Sequence, residues 1–230
     1  MRREMRHGRS RDGRWVGGRY RAAVGVDLGT VLEEAAAGRP PAADGAVEVM
    51  PRVAGGAVAG VIGFTAHHVV AADVDPEWVR AVLPPQSLSA PMSAFFLAAL
   101  AGQVGGEPGA YDITLVAPDT AVPCELREVD SEHPRVRRAL RYRTDVRVHA
   151  AEGGVLILGR GLAGRWEVSL EVAPEHRGRG LGRRLVAAAP GLVDGTLWAQ
   201  VSPANVASLR MFLAAGYRPV AAEVLFSRNA

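Results

Sequence analysis

Val172-Ala173-Pro174-Glu175-His176-Arg177-Gly178-Arg179-Gly180-Leu181-Gly182-Arg183-Arg184-Leu185 is the stretch on which the fold turns. A strand-like run over 165–172 ends at Pro174. A loop of glycines and arginines follows, and an apolar helical pattern begins at Leu181. Strand, glycine-rich turn and helix in that order build a phosphate cradle. Glycines let the backbone approach an anion and take turns barred to other residues. The unpaired N–H groups at the helix start point at that anion, and the helix dipole favours negative charge there. Arg177, Arg179, Arg183 and Arg184 add cationic donors suited to phosphate oxygens. The loop therefore predicts a site for a phosphorylated cofactor.

Two common phosphate loops are excluded. Gly-Lys-Ser/Thr is missing, and Gly178-x-Gly180-x-Gly182 lacks the dinucleotide spacing because position 183 is Arg. Working outward, 146–150, 155–159 and 166–172 read as a three-strand meander, joined by Gly153-Gly154 and by 161–164. Leu197–Val201 reads as a strand. The loop helix repeats Leu181, Leu185, Ala188 and Ala189, and Pro190-Gly191 stops it. A last helix led by Asn205 buries Leu209, Phe212 and Leu213, and Gly216 supplies its left-handed end. Residues 218–226 close the sheet. Before the meander, Glu125–Asp130 reads as a strand, and Ser131 caps a helix over 134–142.

Arg177-x-x-Gly180-x-Gly182 resembles the [Arg/Gln]-x-x-Gly-x-[Gly/Ala] signature of the GNAT N-acetyltransferase superfamily. Asn205-Val206-Ala207-Ser208-Leu209-Arg210-Met211-Phe212-Leu213-Ala214-Ala215-Gly216-Tyr217 resembles its second signature. The likeness covers about residues 124–230. It implies an α/β fold of GNAT type, a mixed, mostly antiparallel sheet with helices on both faces. It also implies acetyl-CoA as acyl donor and an amine acceptor, a small molecule or a protein N-terminus.

Acetyl transfer needs a neutral amine, a donor for the oxyanion and sometimes a proton for the leaving thiolate. The resemblance puts the cofactor arm along Leu170, Glu171 and Val172, with a backbone N–H near Val172 as oxyanion donor. It puts the pyrophosphate on Arg177, Gly178, Arg179, Gly180, Leu181, Gly182 and Arg183, and further cofactor contacts at Asn205 and Phe212. Many relatives carry Tyr at the place of Phe212, as the acid that protonates sulfur; Phe has no such proton, and Tyr217 is the nearest alternative. The usual base positions, Trp166 and Val168, cannot ionise. Glu167, Ser169 and Glu171 alternate onto the opposite face, where Glu167 and Glu171 are the candidate catalytic acids of an acceptor groove. His149, Glu152 and His67-His68 are lesser candidates, the last pair read as structural. A module that binds acyl-CoA without catalysis is the alternative function.

The first half has no phosphate loop. Val58–Ala72 reads as a strand, Asp75-Pro76-Glu77 opens a helix, and a second helix over 92–103 buries Phe95, Phe96, Leu97 and Leu100. Tyr111–Val116 is a strand. This gives a smaller β-α-α-β region over 57–118, whose element order resembles a degenerate GNAT-like half, before the main domain at 119–230. Residues 1–56 read as a basic, disordered extension, although 24–37 has helical character. Residues 1–21 hold eight arginines against two acids, while the other 209 hold 19 against 22. The net charge of +3 therefore belongs to the tail. Such a tail can meet nucleic acid, but an unstructured extension is the expected reading. Every basic residue is Arg, so no Schiff-base lysine exists. The lone Cys124 excludes an intramolecular disulfide and fits a reducing cytoplasm. No metal-ligand spacing, secretory signal or bilayer-spanning run is read. A cytoplasmic monomer or homodimer is expected.

Overall fold

The computed structural model describes residues 20–22, 26–52, 59–84, 87–130 and 132–228. In chain order its elements are β1 (Tyr20–Ala22), α1 (Leu28–Ala36), β2 (Val47–Met50), β3 (Ala59–Phe64), β4 (His67–Ala71), α2 (Pro76–Val82), α3 (Ala94–Val104) and β5 (Gly106–Val116). They continue with β6 (Arg127–Glu128), α4 (Pro134–Tyr142), β7 (Thr144–Ala151), β8 (Gly154–Arg160), β9 (Trp166–Val172), α5 (Leu181–Ala188), β10 (Leu197–Val201), α6 (Val206–Ala214) and β11 (Arg218–Arg228). The strands form one mixed, mostly antiparallel sheet in the order β1-β2-β4-β3-β11-β5-β10-β9-β8-β7-β6.

Helices cover both faces. On one face, α5 and α6 bury Leu181, Leu185, Val186 and Phe212 against Leu156, Leu158, Trp166, Val168 and Ala199. On the same side of the first half, α2 and α3 bury Val79, Phe96 and Leu100 against Val49, Val61, Val70 and Val224. On the other face, α1 packs Leu28 and Leu32 against Ile62, Val116 and Trp198. There too, α4 packs Val136 and Ala139 against Val148 and Ile157.

The two halves share this sheet. β5, from the first half, runs antiparallel between β10 and β11, with Thr114 opposite Gln200 and Asp112 opposite Glu223. β11, the last strand, lies between β5 and β3, with Val224 opposite Val61. The 118/119 boundary thus falls between strands in sequence but cuts through neighbours in space.

Five local expectations differ from what is found. Leu213, read as buried with Leu209 and Phe212 in α6, is exposed. Within the apolar run over 58–72, residues 59–71 form a hairpin rather than one strand: Thr65-Ala66 turns it, with Ala66 at φ 51°, giving β-β-α-α-β. Phe95 is 71% exposed, because Phe96 and Leu100, four apart, define the buried stripe of α3. The strand expected over 125–130 shrinks to Arg127–Glu128. Residues 26–52, assigned by composition to the extension, are folded. Asp27 caps α1 by accepting from the Thr30 N–H at 2.9 Å, and β2 pairs in parallel with β4. Burying Leu28 and Leu32 contributes about 1.5–3 kcal/mol each, which composition does not reveal. Ser131 and residues 1–19 lie outside the described residues. α4 is capped by His133, whose Nδ1 accepts from the Arg135 N–H at 3.2 Å.

Because β11 owes both its neighbours to the first half and β10 owes one, residues 119–230 expressed alone should not unfold cooperatively. Circular dichroism during heating checks this. A sharp transition like that of the full chain would show that the C-terminal half completes its own sheet.

Candidate functional site

β9 and β10 pair in parallel only at Trp166↔Leu197, Glu167↔Trp198 and Val168↔Ala199. Beyond Val168 the strands part, so the β10-facing edge of 170–172 is left unpaired. Into that parting opens a cleft of about 670 Å³. One wall is Leu170, Glu171 and Val172. The floor is Arg177, Gly178, Gly180, Leu181, Gly182 and Arg183. The other wall is α6, through Asn205, Ala207, Ser208 and Met211, while Arg135 of α4 and His176 close the rim.

The loop has the conformation that an anion cradle requires. Gly178 and Gly180 both take positive φ, 72° and 77°, and Gly180 is the N-cap of α5. No side chain caps that helix, so its first N–H groups face the cleft uncompensated. The loop is braced by its own arginines. Arg177 Nε donates to the Val172 carbonyl at 2.9 Å, and Arg184 donates to the Arg179 carbonyl at 3.3 Å. Gly182 brings α5 against α6: a Cβ there would lie 2.7 Å from Met211 Sδ.

Most of the residues singled out in the sequence meet here. Leu170, Glu171, Val172, Arg177, Gly178, Gly180, Leu181, Gly182, Arg183 and Asn205 all line the cleft. Asn205 also caps α6, its Oδ1 accepting from the Ser208 N–H at 3.2 Å. Arg179 is exposed and is not part of the lining. Phe212 is not on the wall either. It is 3% exposed and packs edge-on to Tyr217, ring centroids 4.9 Å apart, while Met211 and Ser208 take the surface of α6. Tyr217 is no proton donor to the cleft: it is buried, its hydroxyl donates to the Val186 carbonyl at 3.0 Å, and burial pushes its pKa up. Arg135 escaped sequence reasoning because it lies 36 residues from its partner Glu171, to which it donates at 2.7 Å. Ser208 and Met211 sit inside the recognised segment, but only the turn of α6 tells them from Phe212.

Glu167 is placed elsewhere. It is 3% exposed on the opposite sheet face, between two guanidinium groups. Arg165 Nε donates to it at 2.9 Å and Arg143 Nε at 2.9 Å. Arg143 also reaches Ser169 Oγ and Gln200 Oε1, and Arg165 continues to Glu223 at 2.6 Å. Burial works to raise the Glu167 pKa, but Arg165 and Arg143 outweigh it and hold the group ionised. A buried carboxylate clamped by two arginines is a poor base for an incoming substrate, so its catalytic assignment is corrected to a structural one. His149 is buried on β7, and His67 and His68 lie on β4, separated from β9 by four strands. His67 Nδ1 lies 3.0 Å from Asp44 Oδ1. Cys124 packs half-buried against the α5–α6 core as a free thiol. Among the described residues no cluster of metal-ligating side chains occurs, and no helix is long and apolar enough to cross a membrane.

Residues 130–217 match the family model described as acetyltransferase (GNAT) family. No curated protein matches the chain. Among solved structures it is similar to a GNAT-family protein from Novosphingobium aromaticivorans, at 17% identity over 55% of this chain and 69% of that one, with a TM-score of 0.39. It is similar to a GNAT-family acetyltransferase from Colwellia psychrerythraea at 12% identity, 57% and 61% coverage and a TM-score of 0.38. A GCN5-related N-acetyltransferase from Kribbella flavida matches at 19% identity, 58% and 64% coverage and a TM-score of 0.39. The chain spans less than two thirds of the latter two.

Removing the Glu167 charge takes the carboxylate from Arg143 and leaves buried Arg165 with Glu223 alone. Glu167→Gln should cost about 3–5 kcal/mol in urea unfolding at pH 7. The folded-state pKa of Glu167 lies below its unfolded value. Its stabilisation is therefore complete above the ordinary glutamate range, about pH 4.3, and fades as pH falls through the folded value. The stability gap between wild type and variant should close on acidification. A gap unchanged down to pH 3 would show that the ionised form contributes nothing special.

Proposed function

We propose, from the match of residues 130–217 to the acetyltransferase (GNAT) family model, that the protein is an N-acyltransferase that moves an acetyl group from acetyl-CoA to an amine. The observation that carries this is the coincidence of three features at one cleft: parted strands, an uncapped helix start, and two left-handed glycines. Acetyl-CoA supplies an activated thioester. Gly178 and Gly180 give the backbone room to approach its pyrophosphate, and the first N–H groups of α5 donate to it. Arg177 and Arg183 add positive charge at the same mouth. The unpaired edge of 170–172 offers backbone groups to the pantetheine arm, and an N–H near Val172 faces the developing oxyanion. Asn205 and Ser208 supply polar contacts from α6.

A second reading is favoured by one observation. Neither Phe212 nor Tyr217 offers the cleft a proton, so an acyl-CoA-binding or regulatory module without turnover fits the same cradle. A thiol is acidic enough to leave as thiolate, which keeps the enzyme as the preferred reading. The protein is proposed to work in the cytoplasm without a metal.

Gly180→Asp tests the cradle. Asp tolerates the left-handed region and is a good N-cap, so folding should survive. Its carboxylate opposes the pyrophosphate, and affinity for acetyl-CoA in calorimetry should fall more than roughly tenfold. Unchanged affinity at an unchanged melting temperature would remove the loop from the site. Thiol release from wild type with acetyl-CoA and a panel of amines separates the enzyme from the binder: affinity without release would select the second reading.

A further inference from the structure

The sheet face away from α5 and α6 changes character midway. α4 covers it with apolar residues over β7 and β8, and α1 does so over Val116 and Trp198. Between those helices lie Ser169 and Glu171 of β9, Gln200 of β10, Asp112 and Thr114 of β5, and Glu223 of β11. Register places them on one face: Thr114 opposite Gln200, Asp112 opposite Glu223, and Glu167 opposite Trp198. A strip of this kind is costly unless every polar group finds a partner. Here two do not. Thr114 is fully buried and its Oγ1 has no hydrogen-bond partner. Glu223 is 1% exposed; one of its oxygens takes Arg165, and Oε2 takes nothing. Two unpaired groups, the Thr114 hydroxyl and a Glu223 carboxylate oxygen, face one strip.

The strip also lies level with the cleft. The last β5–β10 pair is Ile113↔Val201, and the last β9–β10 pair is Val168↔Ala199. Asp112 is therefore one residue beyond the end of β5–β10 pairing, at the height where β9 has left β10. The cradle opens on the α5–α6 face of that gap, and Asp112 lies on the opposite face, one strand away across the end of β10.

We propose that the acceptor is a primary amine that enters this strip as its ammonium ion, and that Asp112 takes the proton that frees it to react. This rests on the acyltransferase reading above. Asp112 and Glu223, two carboxylates facing across adjacent strands, favour a cation between them. The other carboxylates are committed: Glu223 to Arg165, Glu167 to Arg165 and Arg143, Glu171 to Arg135. Asp112 receives no hydrogen bond from an arginine among the described residues and is only half-buried, so a substrate can reach it. Burial foremost, then the facing Glu223, push its carboxyl up to about 6, with Glu167 adding and Arg138 of α4 opposing. Asp112 is thus ionised at pH 7 yet more basic than an ordinary carboxylate.

The step balances. The ammonium N–H bond breaks and its proton passes to an Asp112 oxygen. The freed nitrogen lone pair forms the C–N bond at the thioester carbonyl. The C–S bond breaks with its electron pair on sulfur, and the second proton lost from nitrogen completes the thiol. Asp112 then releases its proton to water.

The test uses the full chain, wild type and Asp112→Asn, with acetyl-CoA and three acceptor classes: a diamine, an aminoglycoside and a peptide with a free N-terminus. Free thiol, acetyl-CoA affinity and melting temperature are read for both. Wild-type kcat/KM should fall on acidification below about pH 6, and that limb should vanish in Asp112→Asn. At pH 7 the variant should lose about 10²-fold or more in kcat/KM, with acetyl-CoA affinity unchanged. With the peptide acceptor the deficit should shrink above about pH 9, where an α-amine is already neutral; a merely structural role would leave it constant. Asp112→Glu should keep part of the activity, and it serves as the second variant should Asn disturb folding. A variant as active as wild type, with the same acid limb, would overturn the proposal while leaving the acyltransferase reading intact. A wild type that binds acetyl-CoA but acetylates none of the three amines would overturn it as well. Failure to bind acetyl-CoA at all would remove both.

Discussion

The strand β5 is the constraint from which the rest of the molecule follows. It comes from the first half of the chain, yet its two neighbours, β10 and β11, come from the second. Backbone groups buried in a sheet must be paired, so neither half satisfies its own hydrogen bonds. Eleven consecutive residues, Gly106–Val116, act as a splint along which the C-terminal strands assemble. The splint also explains why α1 is folded. With Val116 and Trp198 side by side on one face, an apolar surface arises across the junction, and Leu28 and Leu32 cover it.

Around this junction the buried charges are arranged in a chain. Arg165 lies across the Trp198 ring, 5.2 Å from its centroid, and links Glu167 of β9 to Glu223 of β11 over the intervening strands. Arg143 ties Glu167 to the end of α4. Such pairs contribute little net stability over well-packed hydrophobes, but breaking one is expensive. They fix position instead. Glu223 is held where it faces Asp112, and Ser169 and Gln200 are held by the same Arg143. The network sets the geometry of the polar strip while Asp112 keeps clear of it.

What was legible in the sequence follows the range of the interactions. The loop from Arg177 to Gly182 is local: its glycines, its helix start and its preceding strand are contiguous, and the structure brings them to one cleft. α2 and its Asp75 cap were readable for the same reason. Alternation along β9 placed Glu167, Ser169 and Glu171 on one face, but alternation cannot say which of them meets solvent. Glu167 met two arginines from 2 and 24 residues away, and only Glu171 reached the cleft. Phe95 was misassigned because a helix as apolar as α3 gives no contrast from which to choose its buried side. Nothing local distinguishes Asp112. Its character depends on Glu223, 111 positions later, and on a strand exchange that periodicity does not encode.

Phe212 and Asp112 bear on the same chemical question from opposite sides of the sheet. An amine acetylation moves two protons: one must leave nitrogen before attack, and one must reach sulfur after it. The chain has invested its α6 aromatic in the core, where Phe212 and Tyr217 pack edge to face, an arrangement that contributes about 0.5–1.5 kcal/mol beyond burial. Sulfur needs little help, since a thiolate is a stable leaving group near neutral pH. Nitrogen needs more, because an ammonium ion has no lone pair to offer. On the acyltransferase reading, a base is thus the more valuable of the two proton groups. Asp112 has the environment of one, half-buried beside a committed carboxylate, whereas Phe212 carries no proton to give and the Tyr217 hydroxyl is already bonded to Val186.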